Sequence, residues 1–515
     1  MKTTYDYVII GSGFGGSVSA LRLAEKGYKV LVIEKGKWKK PKDFPKTNWH
    51  LRKWMWFPTI GWYGIFKMTF FRHLSVISGV GVGGGSLVYA NTLPKPKSAF
   101  FNSGSWQGLT DWEKELAPHY QTAYKMLGAT DTPKLYDADK ILEKIADNRV
   151  FEPTKVAVYF GEPEKTVPDP FFDGKGPDRA GCNFCGQCMT GCPYNAKNTL
   201  DKNYLHLAQQ LGVDIIAEHL VKNVIPQEDN SYIIEYRKTG NIFAKKKRIQ
   251  SKGVVFAGGV LGTIPLLLKL KQTTMPKLSN MLGKDIRSNN EALIFVTTSN
   301  KDFDMSKGVA IGSILNTSEN SHLEPVRYGS GSGFWRTGVL PLVTEKFWLK
   351  RLGKLILELF KSPWQWLKIY FVRNFAKQTT VLLYMESLEG KLRLKKSWFG
   401  INTKVQDGKA PSAFIPNAHN LARQYAEEIG GKPMSFILEN LSGIPSTAHI
   451  LGGAVIGKDA KTGVINKNQA VFGYPNVYVC DGSAISANPG VNPALTITAM
   501  TERVMSLIDD APDPL

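Results

Sequence analysis

Cysteine is scarce and unevenly spread: the 515 residues hold five, and four of them lie between 182 and 192. Thiols so placed do not form the distributed framework of a disulfide-stapled secreted protein. No apolar stretch reaches the roughly 18–20 residues that a membrane-spanning helix requires. Long low-complexity tracts and internal repeats are absent, as are zinc-finger spacing and RNA-recognition signatures, so nucleic acid is not an expected partner. Nothing resembling a cleavable leader stands before the first apolar strand: Met1–Thr4 runs straight into Tyr5-Asp6-Tyr7-Val8-Ile9-Ile10. A cytoplasmic location is the expectation.

Acid is also in short supply. Asp and Glu total 44 against 65 Lys and Arg, a net charge of +21. Such a field draws anions, including lipid headgroups. The tract Lys245-Lys246-Lys247-Arg248 reads as a solvated turn or strand edge. Hydrophobic residues make up 43% and charged ones 21%, the balance of a folded globular chain. The length exceeds one compact core and points to two closely joined domains.

What is present begins with glycine. Val8-Ile9-Ile10 leads into Gly11-Ser12-Gly13-Phe14-Gly15-Gly16, a helical pattern follows through Val18, Leu21 and Leu23, and Lys29–Ile33 forms a second strand closed by Glu34. Gly11 permits the tight turn, Gly13 lets main chain approach a pyrophosphate, and Gly16 lets helix and strand pack closely. The helix start offers unpaired N–H groups and a positive dipole end. Glu34 accepts from ribose hydroxyls and favours FAD or NAD over NADP.

Gly79–Asn91 is a second glycine-rich segment, in which Gly83-Gly84-Gly85-Ser86 lets backbone meet an extended ligand. Near the C-terminus the strand Val477–Cys480 leads to Asp481-Gly482-Ser483, then to Gly490-Val491-Asn492-Pro493-Ala494, where another helix begins. Its N-terminus would stabilise negative charge on a bound ligand.

The opening loop, Gly-Val-Gly-Gly-Gly-Ser-Leu-Val at 81–88 and the Asp-Gly-Ser…Asn-Pro…Thr-Ile-Thr-Ala ending together resemble the glucose–methanol–choline flavoenzyme family, in that family's order and essentially end to end. Ala257–Thr263 is similar to its further strand-to-helix turn. Within the family the chain looks most like the cholesterol oxidases of the mycobacterial-type branch, on Glu324–Gly329, Thr447-Ala448-His449, Leu451-Gly452-Gly453 and Asp481–Asn488. The resemblance implies FAD as cofactor, with Gly11, Gly13, Phe14, Gly15, Gly16, Glu34, Gly83, Gly84, Gly85, Ser86, Asn91, Asp481, Gly482, Asn492 and Ala494 around it and the Val221 backbone against adenine. It also implies His449 and Asn492 as the pair that handles the substrate hydroxyl. Glu324 is its loosest match, for a carboxylate that moves a ring double bond; an ordinary surface glutamate or a salt bridge to Arg327 is the other reading.

The fold class implied is α/β, a Rossmann-like FAD-binding domain with an inserted α+β substrate-binding domain. The expected division is 1–110, 195–285 and 435–515 for the flavin, 286–434 for the substrate, and 111–194 as a connection. The implied activity is oxidation of a bulky lipid alcohol such as a 3β-hydroxysteroid by hydride transfer to the flavin, with oxygen or a carrier as electron acceptor.

Cys182-x2-Cys185-x2-Cys188-x3-Cys192-Pro193 has the spacing of a bacterial ferredoxin run, and thiolates so spaced can wrap an iron–sulfur cluster. No second run exists, and relatives with a cysteine-rich segment before Ala196–Leu200 are flavin enzymes. The expectation is therefore a flavin enzyme without a metal. A membrane-associated dehydrogenase passing electrons through a cluster to a quinone or carrier protein is the alternative, and a non-redox role in lipid binding is a third.

Two stretches, 51–72 and 347–371, interleave aromatic and basic residues. In the second, apolar positions recur at helical spacing around Lys350, Arg351, Lys354 and Lys361, which describes either a core helix with a cationic outer face or a helix lying in the interface of an anionic membrane. Peripheral attachment to the inner face of the membrane is the corresponding expectation.

Overall fold

The structure, a computed structural model, describes residues 4–512 other than 242, 346, 388–389 and 398–399. The chain opens with β1 (Thr4–Ile10), helix α1 (Phe14–Glu25) and β2 (Val30–Ile33). It adds β3 (Asp214–Ile216), β4 (His219–Pro226), β5 (Tyr232–Lys238), β6 (Lys247–Phe256) and helix α2 (Val260–Lys271). Strands β7 (Ala292–Thr298), β8 (Ser313–Ser318) and β9 (Ser321–Val326) begin the second layer. Helices α3 (Trp348–Lys361) and α4 (Pro363–Tyr370), strands β10 (Thr379–Glu386) and β11 (Gly431–Phe436) and helix α5 (Ile437–Ser442) follow. The chain then returns to the first sheet through β12 (Val477–Val479) and ends in α6 (Ala494–Ser506).

The first sheet runs β3-β2-β1-β6-β5-β4, with β12 beside β6. Its centre is parallel and its β4–β5 hairpin antiparallel. Burial along β6 follows from this. Its first half alternates against one hairpin strand; Val254-Val255-Phe256 is continuously buried between β1 and β12. Small residues let α1 lie close to the sheet end: a Cβ added at Gly15 would fall 1.4 Å from the Cys480 carbonyl oxygen. Arg248 and Lys246 of the basic tract pair with Glu235 at the strand edge.

The second sheet is antiparallel, in the order Val339–Pro341, β11, β7, β10, β9, β8, Phe151–Pro153. Its central strands β7, β9 and β10 are buried on both faces, and the two-residue period of a strand separates them cleanly. Leu382 and Tyr384 of β10 pack with Tyr425 of the helix Pro416–Glu428. Val381, Leu383 and Met385 pack toward Trp335 and Phe66. That second face becomes one wall of the site.

The architecture is mixed α/β, a Rossmann-like domain joined to an antiparallel-sheet domain, as the sequence implies. Among the described residues no helix is long and apolar enough to cross a membrane.

Candidate active site

A cavity of about 330 Å³ lies between the end of the parallel sheet and the inner face of the antiparallel one. Three helix N-termini open onto it: Gly13-Phe14-Gly15 at α1, Gly258-Gly259-Val260 at α2, and Pro493-Ala494 at α6. None of the three has a side-chain cap or an acid in its first turn. Free N–H groups and three positive dipole ends therefore converge where an anion would sit. Gly84 and Gly85 of the second glycine segment close the same end.

The glycines leave room there. A Cβ at Gly13 would find no protein atom nearer than 4.0 Å, and one at Gly259 would find none within 4 Å, so side chains at either position would fill the cavity. Lys35 and Lys67 also line it; burial, reinforced by Lys35, presses the Lys67 ammonium down to about 8. Glu34 is buried, accepting from Ser12 N–H (3.1 Å), Ser12 Oγ (3.0 Å) and Gly36 N–H (2.8 Å). These residues fit a flavin adenine dinucleotide: a backbone cradle for the pyrophosphate, two lysines, and a carboxylate at the end of β2.

Of the sequence-selected residues, Gly13, Phe14, Gly15, Glu34, Gly84, Gly85, Asp481, Gly482, Asn492, Ala494 and His449 line the cavity. Gly11 and Gly16 stand behind it, where a Cβ at Gly16 would meet the Gly11 carbonyl oxygen at 2.1 Å. Ser86 Oγ donates to the Gly83 carbonyl and accepts from Leu200 N–H, which pins the second glycine turn. Asn91 is buried at φ 72° beside Cys188. Val221 is buried at an irregularity in β4 and is not among the lining residues.

His449 follows Ser446–Thr447, which pairs with Ser75–Val76 and so anchors the segment under the cavity. Its Nδ1 lies 2.8 Å from Glu291 Oε1. Glu291 is buried and also accepts from Thr447 Oγ1 (2.7 Å) and Ala448 N–H (2.8 Å). Burial works against an imidazolium, but Glu291, and Glu324 beyond it, more than offset this and raise the His449 pKa above its ordinary value. Burial likewise opposes ionisation of Glu291, yet His449, Ala448 and Thr447 hold its pKa below the usual range. With Nδ1–H donated to Glu291, Nε2 is left to the cavity as a proton acceptor.

Glu324 is neither a surface residue nor a partner of Arg327. It is fully buried on β9, on the face it shares with Val326, and Arg327 instead grips Asp139 through two bonds of 2.9 and 2.7 Å. Asn492 Nδ2 donates to Glu324 Oε2 at 3.4 Å, so Asn492 stands between the carboxylate and the cavity. His322 Nε2 lies 3.3 Å from the other oxygen.

The remainder of the wall is apolar: Leu293, Phe295, Val381, Leu383 and Phe436 from the antiparallel sheet and Phe66 from the separate strand Phe66–Phe70, with Tyr328 and Trp335 beside them. Sequence reasoning missed Glu291, Lys35 and Lys67. The signal for Glu291 was an acid set flush against the buried run Ala292–Thr298.

The cysteine loop gathers Cys182, Cys185, Cys188 and Cys192 around one small space. Its four thiols surround a space of about 10 Å³, room for one water. Among the described residues no three His, Cys, Asp or Glu side chains are arranged to hold a metal ion. Burial and the neighbouring sulfurs raise the pKa values of Cys182, Cys185 and Cys188, that of Cys185 to about 12. Lys197 lies under the loop, donating to the carbonyls of Leu87, Tyr89 and Cys188 at 3.1, 2.9 and 2.8 Å; it ties the cysteine loop to the glycine segment.

Sequence comparison bears on the same residues. GMC oxidoreductase family profiles match 173–271 and 389–501, and an NAD(P)-binding Rossmann-like profile matches 9–37. A cholesterol oxidase of Acinetobacter baumannii is 42% identical over 98% of this chain and 94% of its own. The chain belongs to the GMC oxidoreductase family. A cholesterol oxidase of Mycobacterium tuberculosis is also 42% identical, over 98% of this GMC chain and 91% of its own. Pyridoxine 4-oxidase from Mesorbium loti shares the fold, with TM-score 0.62 at 12% identity over 97% of this chain and 98% of that one. This GMC protein is thus an oxidoreductase acting on CH–OH groups, and its family and Rossmann-like domain imply FAD.

Proposed function

We propose that the protein oxidises a bulky lipid alcohol, a 3β-hydroxysteroid such as cholesterol being the best fit. The observation that carries this is the composition of the cavity: it joins three glycine-rich or proline-started helix N-termini and two lysines to a wall of aliphatic and aromatic side chains, with His449 on its boundary. The 42% identity to cholesterol oxidases supports the steroid class.

Bound FAD supplies the hydride acceptor. His449 Nε2 takes the hydroxyl proton, and Glu291 fixes the tautomer and stabilises the resulting imidazolium. Asn492, held by Glu324, orients the substrate oxygen. To Glu324, one hydrogen bond behind Asn492, we assign the proton transfer that migration of a ring double bond requires. The apolar wall excludes water and pays no hydrogen-bonding penalty with a fused-ring hydrocarbon.

Anaerobic flavin reduction by a panel of sterols, long-chain alcohols and sugars tests the reading. Bleaching by sterols at the lowest concentration is expected. Preferential bleaching by sugars overturns the lipid assignment, and hydrogen peroxide release on admitting air identifies oxygen as acceptor.

A further inference from the structure

Helices α3 and α4 have their apolar surface on the wrong side for a core role. Leu349, Leu352, Ile356 and Phe360 recur at i, i+3, i+7 and i+11, one stripe along α3, and are 64, 40, 48 and 78% exposed. The buried positions of α3 are Arg351 and Leu355. In α4 the same inversion holds: Trp364 and Leu367, with Phe371 at the cap, face outward, while Trp366 and Ile369 are buried. Among the described residues, ten of the twenty-one exposed large apolar side chains fall within 347–371. Leu438 and Leu441 of α5, which packs on α3, extend the patch.

The charge around this patch is one-sided. The acids of the segment are engaged, Glu345 with Lys354 and Glu358 with Lys432 at 3.8 Å. Among the described residues Lys350, Lys361 and Lys368 form no ion pair and are exposed beside the apolar stripes. Exposed tryptophan and phenylalanine rimmed by lysine, on a chain of net charge +21, complement an anionic bilayer interface: apolar groups enter the acyl boundary and ammonium groups meet the phosphates. A protein partner would have to match the same patch with acid around an apolar centre; a bilayer supplies both without a specific shape.

The inner face of the hairpin fixes where such a membrane would lie. Trp366 and Ile369 belong to the same packed cluster as Phe66, Phe295, Val381 and Leu383, four residues of the cavity wall. We propose that the α3–α4 hairpin is a docking surface for anionic lipid bilayers, its inner face packed into the hydrophobic cluster that also supplies the apolar wall of the active-site cavity. The inference deepens the lipid-alcohol reading and rests on it for its purpose, but the docking itself is measured without substrate.

The test is co-sedimentation of the full-length holoprotein with phosphatidylcholine vesicles and with vesicles containing phosphatidylglycerol, at low and high salt. Binding to the anionic vesicles, weakened by salt, is expected. The double variant Phe360→Glu/Trp364→Glu should lower the partition coefficient by at least about tenfold while keeping its flavin and its rate on detergent-dispersed alcohol. Equal binding by the variant and the parent overturns the proposal, as does failure of the parent to bind at low salt. So does a concentration-dependent dimer that the variant abolishes without any change in vesicle binding. Loss of sterol oxidation with vesicle binding intact counts against the functional reading alone.

Discussion

His449 Nδ1 and Glu291 Oε1 stand 2.8 Å apart, although 158 positions separate them in sequence. The contact joins the segment after Ser446–Thr447, which pairs with Ser75–Val76 in a short separate sheet, to the residue that immediately precedes β7 of the antiparallel sheet. Glu291 is the larger of the two carboxylate influences that raise the imidazole pKa against the effect of burial. Glu291→Gln removes that influence, so the His449 pKa falls. Because the imidazole must be neutral to accept a proton, the acid limb of kcat/KM moves to lower pH. The amide also no longer stabilises the imidazolium, and kcat should drop on the order of 10–100-fold. A full pH profile with flavin content checked at each point measures both effects; an unmoved acid limb would show that the pair does not govern the reaction.

Two glycines of the first loop separate folding from cofactor binding. A Cβ at Gly15 would overlap the Cys480 carbonyl oxygen, so Gly15→Ala cannot keep the α1–sheet packing, and insoluble or unfolded protein is expected. At Gly13 the nearest protein atom is 4.0 Å away and the residue lines the cavity. Gly13→Ala should therefore fold with an unchanged circular dichroism spectrum and bind FAD at least about tenfold more weakly, a loss of about 1.4 kcal/mol. Fluorescence titration of the apoprotein gives the affinity. Wild-type affinity in Gly13→Ala would remove this loop from the cofactor site.

The difference between these two glycines was legible in outline only. Strand, Gly11–Gly16 turn, helix and Glu34 are a local pattern, because each requirement is met within 31 residues of chain. His449 became a candidate through resemblance, since one imidazole in a loop carries no geometric signature. Glu291 was hidden because its partner lies in a distant segment, and no periodicity reports which acid a histidine will meet. For Glu324 the sequence leaves a solvated or Arg327-paired alternative open, because its burial depends on the register of β9 against β10, which sequence alone does not fix. The α3–α4 hairpin was ambiguous for a related reason. Apolar spacing identifies an amphipathic helix but not which face the rest of the chain covers.

Glu324 carries the prediction that divides oxidation from isomerisation. Its carboxylate is fully buried and accepts from Asn492 Nδ2. Glu324→Gln is nearly isosteric and keeps an acceptor for that amide, so anaerobic flavin reduction by a sterol should stay within about tenfold of the parent. Proton transfer between ring carbons, however, needs an ionisable group. The variant should release the unconjugated ketone in place of the conjugated enone, a difference resolved by product chromatography. Enone formation at the parental rate would assign the isomerisation to another group or to solvent.

Glu439 provides a prediction in stability. Burial, with Glu291 nearby, pushes its pKa up to about 8 despite hydrogen bonds from Ser446, whose N–H lies 3.0 Å from Oε1. The native state therefore keeps a proton that the unfolded chain releases near pH 4.3. The sign follows from linkage: the contribution of the protonated carboxyl is complete below the unfolded pKa and is lost progressively as pH rises through about 8. Glu439→Gln has no such proton to lose. Relative to the parent, the variant should gain stability steadily between about pH 4 and 8, by a few kcal/mol across the range, and the gain should level off above it. Chemical denaturation of both proteins at four or five pH values measures the difference. A pH-independent offset between the two curves would mean that Glu439 is ionised in the folded protein at neutral pH, and that the space beside Glu291 is wetter than its burial indicates.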